Sequence, residues 1–327
     1  MSASLSDLAA SVVVTGVREE DACDARWSAY PFGGFIFFDR NTESLRALRA
    51  LTDRLRARYD LAPILAIDQE GGRVMRLREG VAPMPSAAEI GGDAARAERI
   101  GARCADDLRR AGCNLDFAPV LDLAVDPRNT VIGDRSFGSD PHVVTESARA
   151  FARGLESGGV VATYKHFPGH GATATDSHHG LPVIALDEST LRSRDLVPFA
   201  AVASSARAMM TAHVVVAALD SEYPATLSPR ILTTLLREEF GFGGVCFTDC
   251  LQMAAIANEY GSAEGAWRAL RAGADAVTVS HDPTLAVTIA QRVVRAVKDG
   301  DLALERLQEA SGRLKRLRSQ LQPPLPI

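Results

Sequence analysis

Eight short apolar runs, each followed by an amphipathic or polar stretch, recur from one end of the chain to the other, and this alternation constrains the fold more than any other feature. The runs are Val12 to Thr15, Gly34 to Phe38, Pro63 to Ile67, Asn114 to Phe117, Val160 to Tyr164, Ala208 to Ala212, Gly244 to Thr248 and Asp275 to Val279. Apolar runs separated by helical patterns indicate βα units around a parallel sheet. One such helix is predicted over Thr42 to Tyr59, where Leu45, Leu48, Leu51 and Leu55 fall on one face. A similar stripe runs through Leu304, Leu307, Leu314, Leu317 and Leu321. Eight strands point to a closed (β/α)8 barrel, because open doubly wound sheets more often hold about five or six.

The 327 residues, 46% of them hydrophobic, suffice for one barrel-sized core, so residues 1–327 read as a single domain. Its end, residues 322–327, is a proline-rich tail expected to be either a loose end or a clamp. The segment from Asp122 to Pro141 is long and irregular for a βα loop, a property common in functional loops.

The net charge is -5, with charges of both signs scattered along the chain, so neither nucleic acid nor an anionic membrane is an expected partner. The N-terminus lacks the basic start of a secretory signal, and Val12 to Val14 is far too short to span a bilayer. Five cysteines, without a CxxC pair, read as reduced thiols. A cytoplasmic protein is the expectation.

Barrels of this type place reactive groups at the C-terminal ends of their strands, where side chains leave the packed interior. Four runs deliver titratable residues there: Asp68, the pair Lys165-His166, His213 and Asp249. Any one aspartate could simply cap the following helix. Four at one rim make a shared polar site the better account.

The segment from Lys165 through Gly171, with Asp176, His178, His179 and His213, holds five of the seven histidines. A metal site is one reading, since barrels host metal hydrolases, but Pro168 and Gly169 rule out a helical zinc pair of His166 and His170. The other reading is a dyad in which Asp176 orients His178 and stabilises its protonated form, giving an acid/base catalyst. Glycines at 169, 171 and 180 would let this loop bend. Cys246, Met209 and Met210 read as barrel core.

Across residues 30 to 260 the motifs resemble those of glycoside hydrolase family 3, in its single-domain bacterial β-N-acetylglucosaminidase branch. The resemblance is carried by Ile67-Asp68-Gln69-Glu70-Gly71-Gly72-Arg73-Val74, by Asp116 to Asp122, by Val131 to Gly138 and by Lys165 to Gly171. Asp176-Ser177-His178, followed by Leu181-Pro182, separates this branch from the β-glucosidases. Two positions depart from the pattern: Cys250 stands where many relatives carry a second aspartate, and His179 is additional.

The resemblance implies a retaining, exo-acting β-N-acetylhexosaminidase that needs no cofactor and no metal. Asp249 would be the nucleophile and His178 the acid/base, with Asp176 beside it. Asp68, Arg76, Arg135, Lys165, His166 and His213 would bind the terminal sugar. The implied substrate is a small carbohydrate, a muropeptide fragment or a chitooligosaccharide. A β-glucosidase, a phosphate-dependent phosphorylase of the same family and a metal-dependent barrel hydrolase remain alternatives.

Overall fold

The computed structural model describes residues 3–18, 29–173 and 181–326. Its centre is a closed parallel barrel of eight strands in sequential order. They are β1 (Val13–Gly16), β2 (Gly34–Phe37), β3 (Ile64–Ile67), β4 (Leu115–Asp116), β5 (Val161–Phe167), β6 (Ala208–Thr211), β7 (Val245–Cys250) and β8 (Ala276–Val279). All eight expected strands are present, and β1 pairs with β8 through Val13↔Val277 to close the ring.

Around the barrel run α1 (Leu5–Ser11), α2 (Leu45–Arg56), α3 (Ala94–Arg110), α4 (Pro141–Ser157), α5 (Val197–Ala203), α6 (Ser262–Ala272), α7 (Pro283–Asp299) and α8 (Leu304–Arg318). A π-helical segment, Arg230–Glu239, precedes β7. Helix α2 starts at the first of its leucines, later than the expected Thr42, because the Ser44 hydroxyl accepts the Ala47 amide as an N-cap. Its four leucines are buried as expected. Helix α4 starts at Pro141, capped by Asp140.

Two strands run further than the apolar pattern predicts. The β5–β6 ladder pairs Tyr164 with Met209 and resumes only at Phe167 with Thr211. The β7–β8 ladder pairs Phe247 with Ala276 and resumes at Cys250 with Thr278. The irregularities span Lys165-His166 and Thr248-Asp249, so the chain stays in the barrel wall while side chains at these positions are re-aimed. Below them, Phe117 and Phe247 meet edge-to-face at 5.5 Å and fill the interior.

The opposite end is fastened by charge. Asp275 is fully buried and accepts from Arg237 (2.5 Å), Arg306 (2.6 Å), Arg313 (3.1 Å) and the Cys246 amide (3.0 Å). This use of its side chain places Asp275 just ahead of β8 rather than in it. The proline-rich tail acts as a clamp: Arg49 donates to the Leu325 carbonyl (2.6 Å), Arg109 donates to that of Pro323 (2.8 Å), and the Leu325 amide donates to the Arg109 carbonyl (3.1 Å). Among the described residues no helix is long and apolar enough to cross a membrane.

Candidate active site

At the C-terminal ends of the strands lies a cavity of about 1110 Å³. Asp68, Arg76, Arg135, Lys165, His166 and Asp249 all line it. Asp176, His178 and His179 lie outside the described residues.

Asp249 sits in the irregular stretch of β7, where one carboxylate oxygen accepts the Cys250 amide at 2.6 Å. Burial alone would raise its pKa, but His213, His166, the Cys250 amide and Lys165 more than offset this and hold it below the ordinary range. The result is an ionised carboxylate in a confined pocket.

Across the cavity, Lys165 is buried and donates to Asp68 (2.7 Å), and its ammonium lies 2.6 Å from Glu70. Arg135 grips Glu70 with two parallel bonds of 2.8 Å each. Burial would raise Glu70, yet Arg135 and Lys165 keep it far below a normal carboxyl. Arg135 also reaches His166 Nε2 at 3.4 Å, while His166 Nδ1 is 2.6 Å from Asp122. Asp68, Lys165, Glu70, Arg135, His166 and Asp122 therefore form one continuous network, fixed before any ligand arrives.

Two expected residues sit differently from the rest. Arg76 is at the rim, with its guanidinium 5.5 Å from the Phe38 ring and 3.8 Å from Asp39. His213, expected to be a sugar ligand, lies behind Asp249. Its Nδ1 meets Thr226 at 2.8 Å, its Nε2 donates to the Cys250 carbonyl at 3.0 Å, and the residue is 1% exposed. With both ring nitrogens occupied, it backs the carboxylate instead of forming the wall.

Met210, read from the sequence as core, lines the cavity beside Phe117. Glu70, Asp122 and His170 stand in the motifs noted in the sequence but carried no assigned role there, although all three belong to this network or its wall. The signal for Glu70 and Asp122 is arithmetic: buried Lys165, Arg135 and His166 need buried carboxylates. Of the loop glycines, Gly180 lies outside the described residues, and the other two are required by the backbone. Gly169 has φ +121°, and a Cβ on Gly171 would meet the Leu123 carbonyl oxygen at 1.9 Å.

Beneath the network, burial pushes the Asp116 carboxyl up to about 7, aided by Asp68 and Glu70 against the Gln69 amide and Lys165. An acid raised from about 3.9 in the unfolded chain binds more protons when folded. Its contribution to stability is thus full below about pH 4 and falls as pH rises toward 7. Asp116→Asn keeps an acceptor for the Gln69 amide and removes the titration. The variant should gain several degrees in Tm relative to wild type at pH 8 and little at pH 4; equal differences at both pH values would contradict this.

Residues 5–317 match the glycosyl hydrolase family 3 N-terminal domain. A β-hexosaminidase of Methylococcus capsulatus is 42% identical over 266 residues, 79% of this chain and 78% of the relative. A glycoside hydrolase family 3 β-N-acetylglucosaminidase from Paenibacillus sp. str. FPU-7 superposes with a TM-score of 0.94 at 37% identity, covering 98% of this chain. This chain spans only 63% of that longer protein. A family 3 glycosyl hydrolase from Mycobacterium smegmatis superposes with a TM-score of 0.89 at 34% identity, covering 99% of this chain and 100% of its own. With the profile match over nearly its whole length, the chain belongs to glycosyl hydrolase family 3.

Proposed function

We propose that the chain is a retaining β-N-acetylhexosaminidase that releases a terminal β-linked N-acetylglucosamine. The observation that carries this reading is the Asp249 carboxylate sharing one cavity with a preformed set of donors and acceptors suited to a polyol. Asp249 attacks the anomeric carbon and forms an ester as the glycosidic bond breaks. His178, oriented by Asp176, gives its proton to the departing oxygen, then takes one from the water that cleaves the ester. The two displacements return the original anomeric configuration.

In this scheme Asp68, Arg76, Arg135, Lys165 and His166 hold the terminal sugar, and His213 steadies Asp249. The relatives named as β-hexosaminidases and β-N-acetylglucosaminidases support the choice of sugar. The chain's own carboxylate and imidazole supply the covalent and proton-transfer steps, so the scheme calls on no cofactor. Muropeptide fragments or chitooligosaccharides in the cytoplasm are the proposed substrates. The unpaired thiols Cys104, Cys113, Cys246 and Cys250 suit a reducing compartment.

Purified protein should cleave nitrophenyl β-N-acetylglucosaminide at least about 10²-fold more efficiently than the matched β-glucoside, because a site built for polar substituents loses that much when one is missing. Equal kcat/KM for the two would overturn the assignment.

A further inference from the structure

We propose that Asp122 is a positioning residue that locks the His166 proton on Nδ1, so that Nε2 and Arg135 together select a sugar hydroxyl able to donate. The inference deepens the reading of the cavity as a sugar site and rests on it.

Three N–H groups converge on this fully buried carboxylate. The amide of His170 donates to one oxygen at 2.6 Å. The amide of His166 donates to the other at 3.1 Å, and His166 Nδ1 lies 2.6 Å from that same oxygen. Two of these donors are backbone amides, which can do nothing but donate. Burial would raise Asp122, but the facing His166 and His170 groups hold it below its ordinary range, so the carboxyl is ionised and has no proton to offer. His166 Nδ1 must therefore be the donor.

The far side of the ring follows from this. Arg135 has only N–H groups to present, and one stands 3.4 Å from Nε2, a contact that a ring protonated on Nδ1 alone satisfies with the Nε2 lone pair. That contact is long, which leaves Nε2 able to accept a shorter bond from a substrate. A hydroxyl entering between His166 and Arg135 would donate to the first and accept from the second. An ether oxygen or a fluorine cannot do both. The Asp122–His166–Arg135 arrangement thus rejects a sugar that is capped or deoxygenated at the matching position.

Asp122→Asn should dismantle this selection. An amide has a single oxygen for the three converging donors, so its NH2 must oppose either the His170 amide or the His166 pair. The imidazole can escape only by moving its proton to Nε2, where it meets the Arg135 N–H.

The test has two arms. In protein carrying ¹⁵N-histidine, with His166 assigned by its loss in His166→Gln, the wild type should show the Nδ1–H tautomer and Asp122→Asn should not. Inhibition by N-acetylglucosamine is then compared with its monodeoxy and monofluoro analogues. One position should weaken wild-type binding by about tenfold to a hundredfold in both analogues, and that penalty should shrink to a few-fold in Asp122→Asn. An Nε2–H tautomer in the wild type overturns the proposal even if the variant does not fold. So does an analogue profile unchanged by the substitution. Turnover of nitrophenyl β-N-acetylglucosaminide by the wild type checks the underlying function separately.

Discussion

Asp249→Ala should lower kcat/KM for nitrophenyl β-N-acetylglucosaminide by about 10⁴-fold, equivalent to roughly 5.5 kcal/mol of transition-state stabilisation. The substitution removes the only group assigned to bond formation at the anomeric carbon, whereas the binding network around Glu70 is untouched. KM should accordingly change far less than kcat. Azide added to the variant can enter the vacated space and attack the same carbon, and the expected product is a glycosyl azide of inverted configuration. Residual activity within tenfold of wild type, or an azide product of retained configuration, would remove Asp249 from the nucleophile's role.

Glu70→Ala should be among the most destabilising single changes in the molecule, costing about 3–5 kcal/mol, because it leaves buried Arg135 uncompensated and deprives Lys165 of one of two carboxylates. The expected readout is a lower midpoint in urea with an unchanged slope and a Tm lower by roughly 5–10 °C. Glu70→Gln, which keeps the shape and two hydrogen-bonding atoms, should recover only part of the loss because the charge is absent. A variant as stable as wild type would mean that water or a rotated Arg135 side chain replaces the carboxylate. The two substitutions differ in kind: the first should spare the fold and stop the reaction, the second should weaken the fold that holds the sugar site.

Much of the architecture was legible because hydrophobic periodicity reports burial. Each barrel strand is buried on both faces and reads as a continuous apolar run, so all eight were found within a few residues. The strand ends were less visible, since the ladder steps over Lys165-His166 and Thr248-Asp249 and then continues through residues whose polarity resembles a loop. Of the site, the strand-end residues Asp68, Lys165, His166 and Asp249 were legible from position alone. Glu70 and Asp122 were not, because their importance depends on which cations fold against them, and that pairing spans 65 residues for Arg135 and 44 for His166. His213 was visible as a polar strand end, but not the Thr226 hydroxyl that turns it away from the cavity.

The interrupted ladders on β5 and β7 separate chemistry from architecture. Of the skipped positions, 165, 166 and 249 line the mouth, whereas the Thr248 hydroxyl accepts the Thr278 amide and ties β7 to β8, so a change at 165, 166 or 249 alters what the mouth can bind or attack while the ladder on either side is kept. A lineage built on this chassis can exchange its reactive groups one at a time while the ring of strands stays closed. The same freedom gives an engineer three addresses at which to install a different reaction.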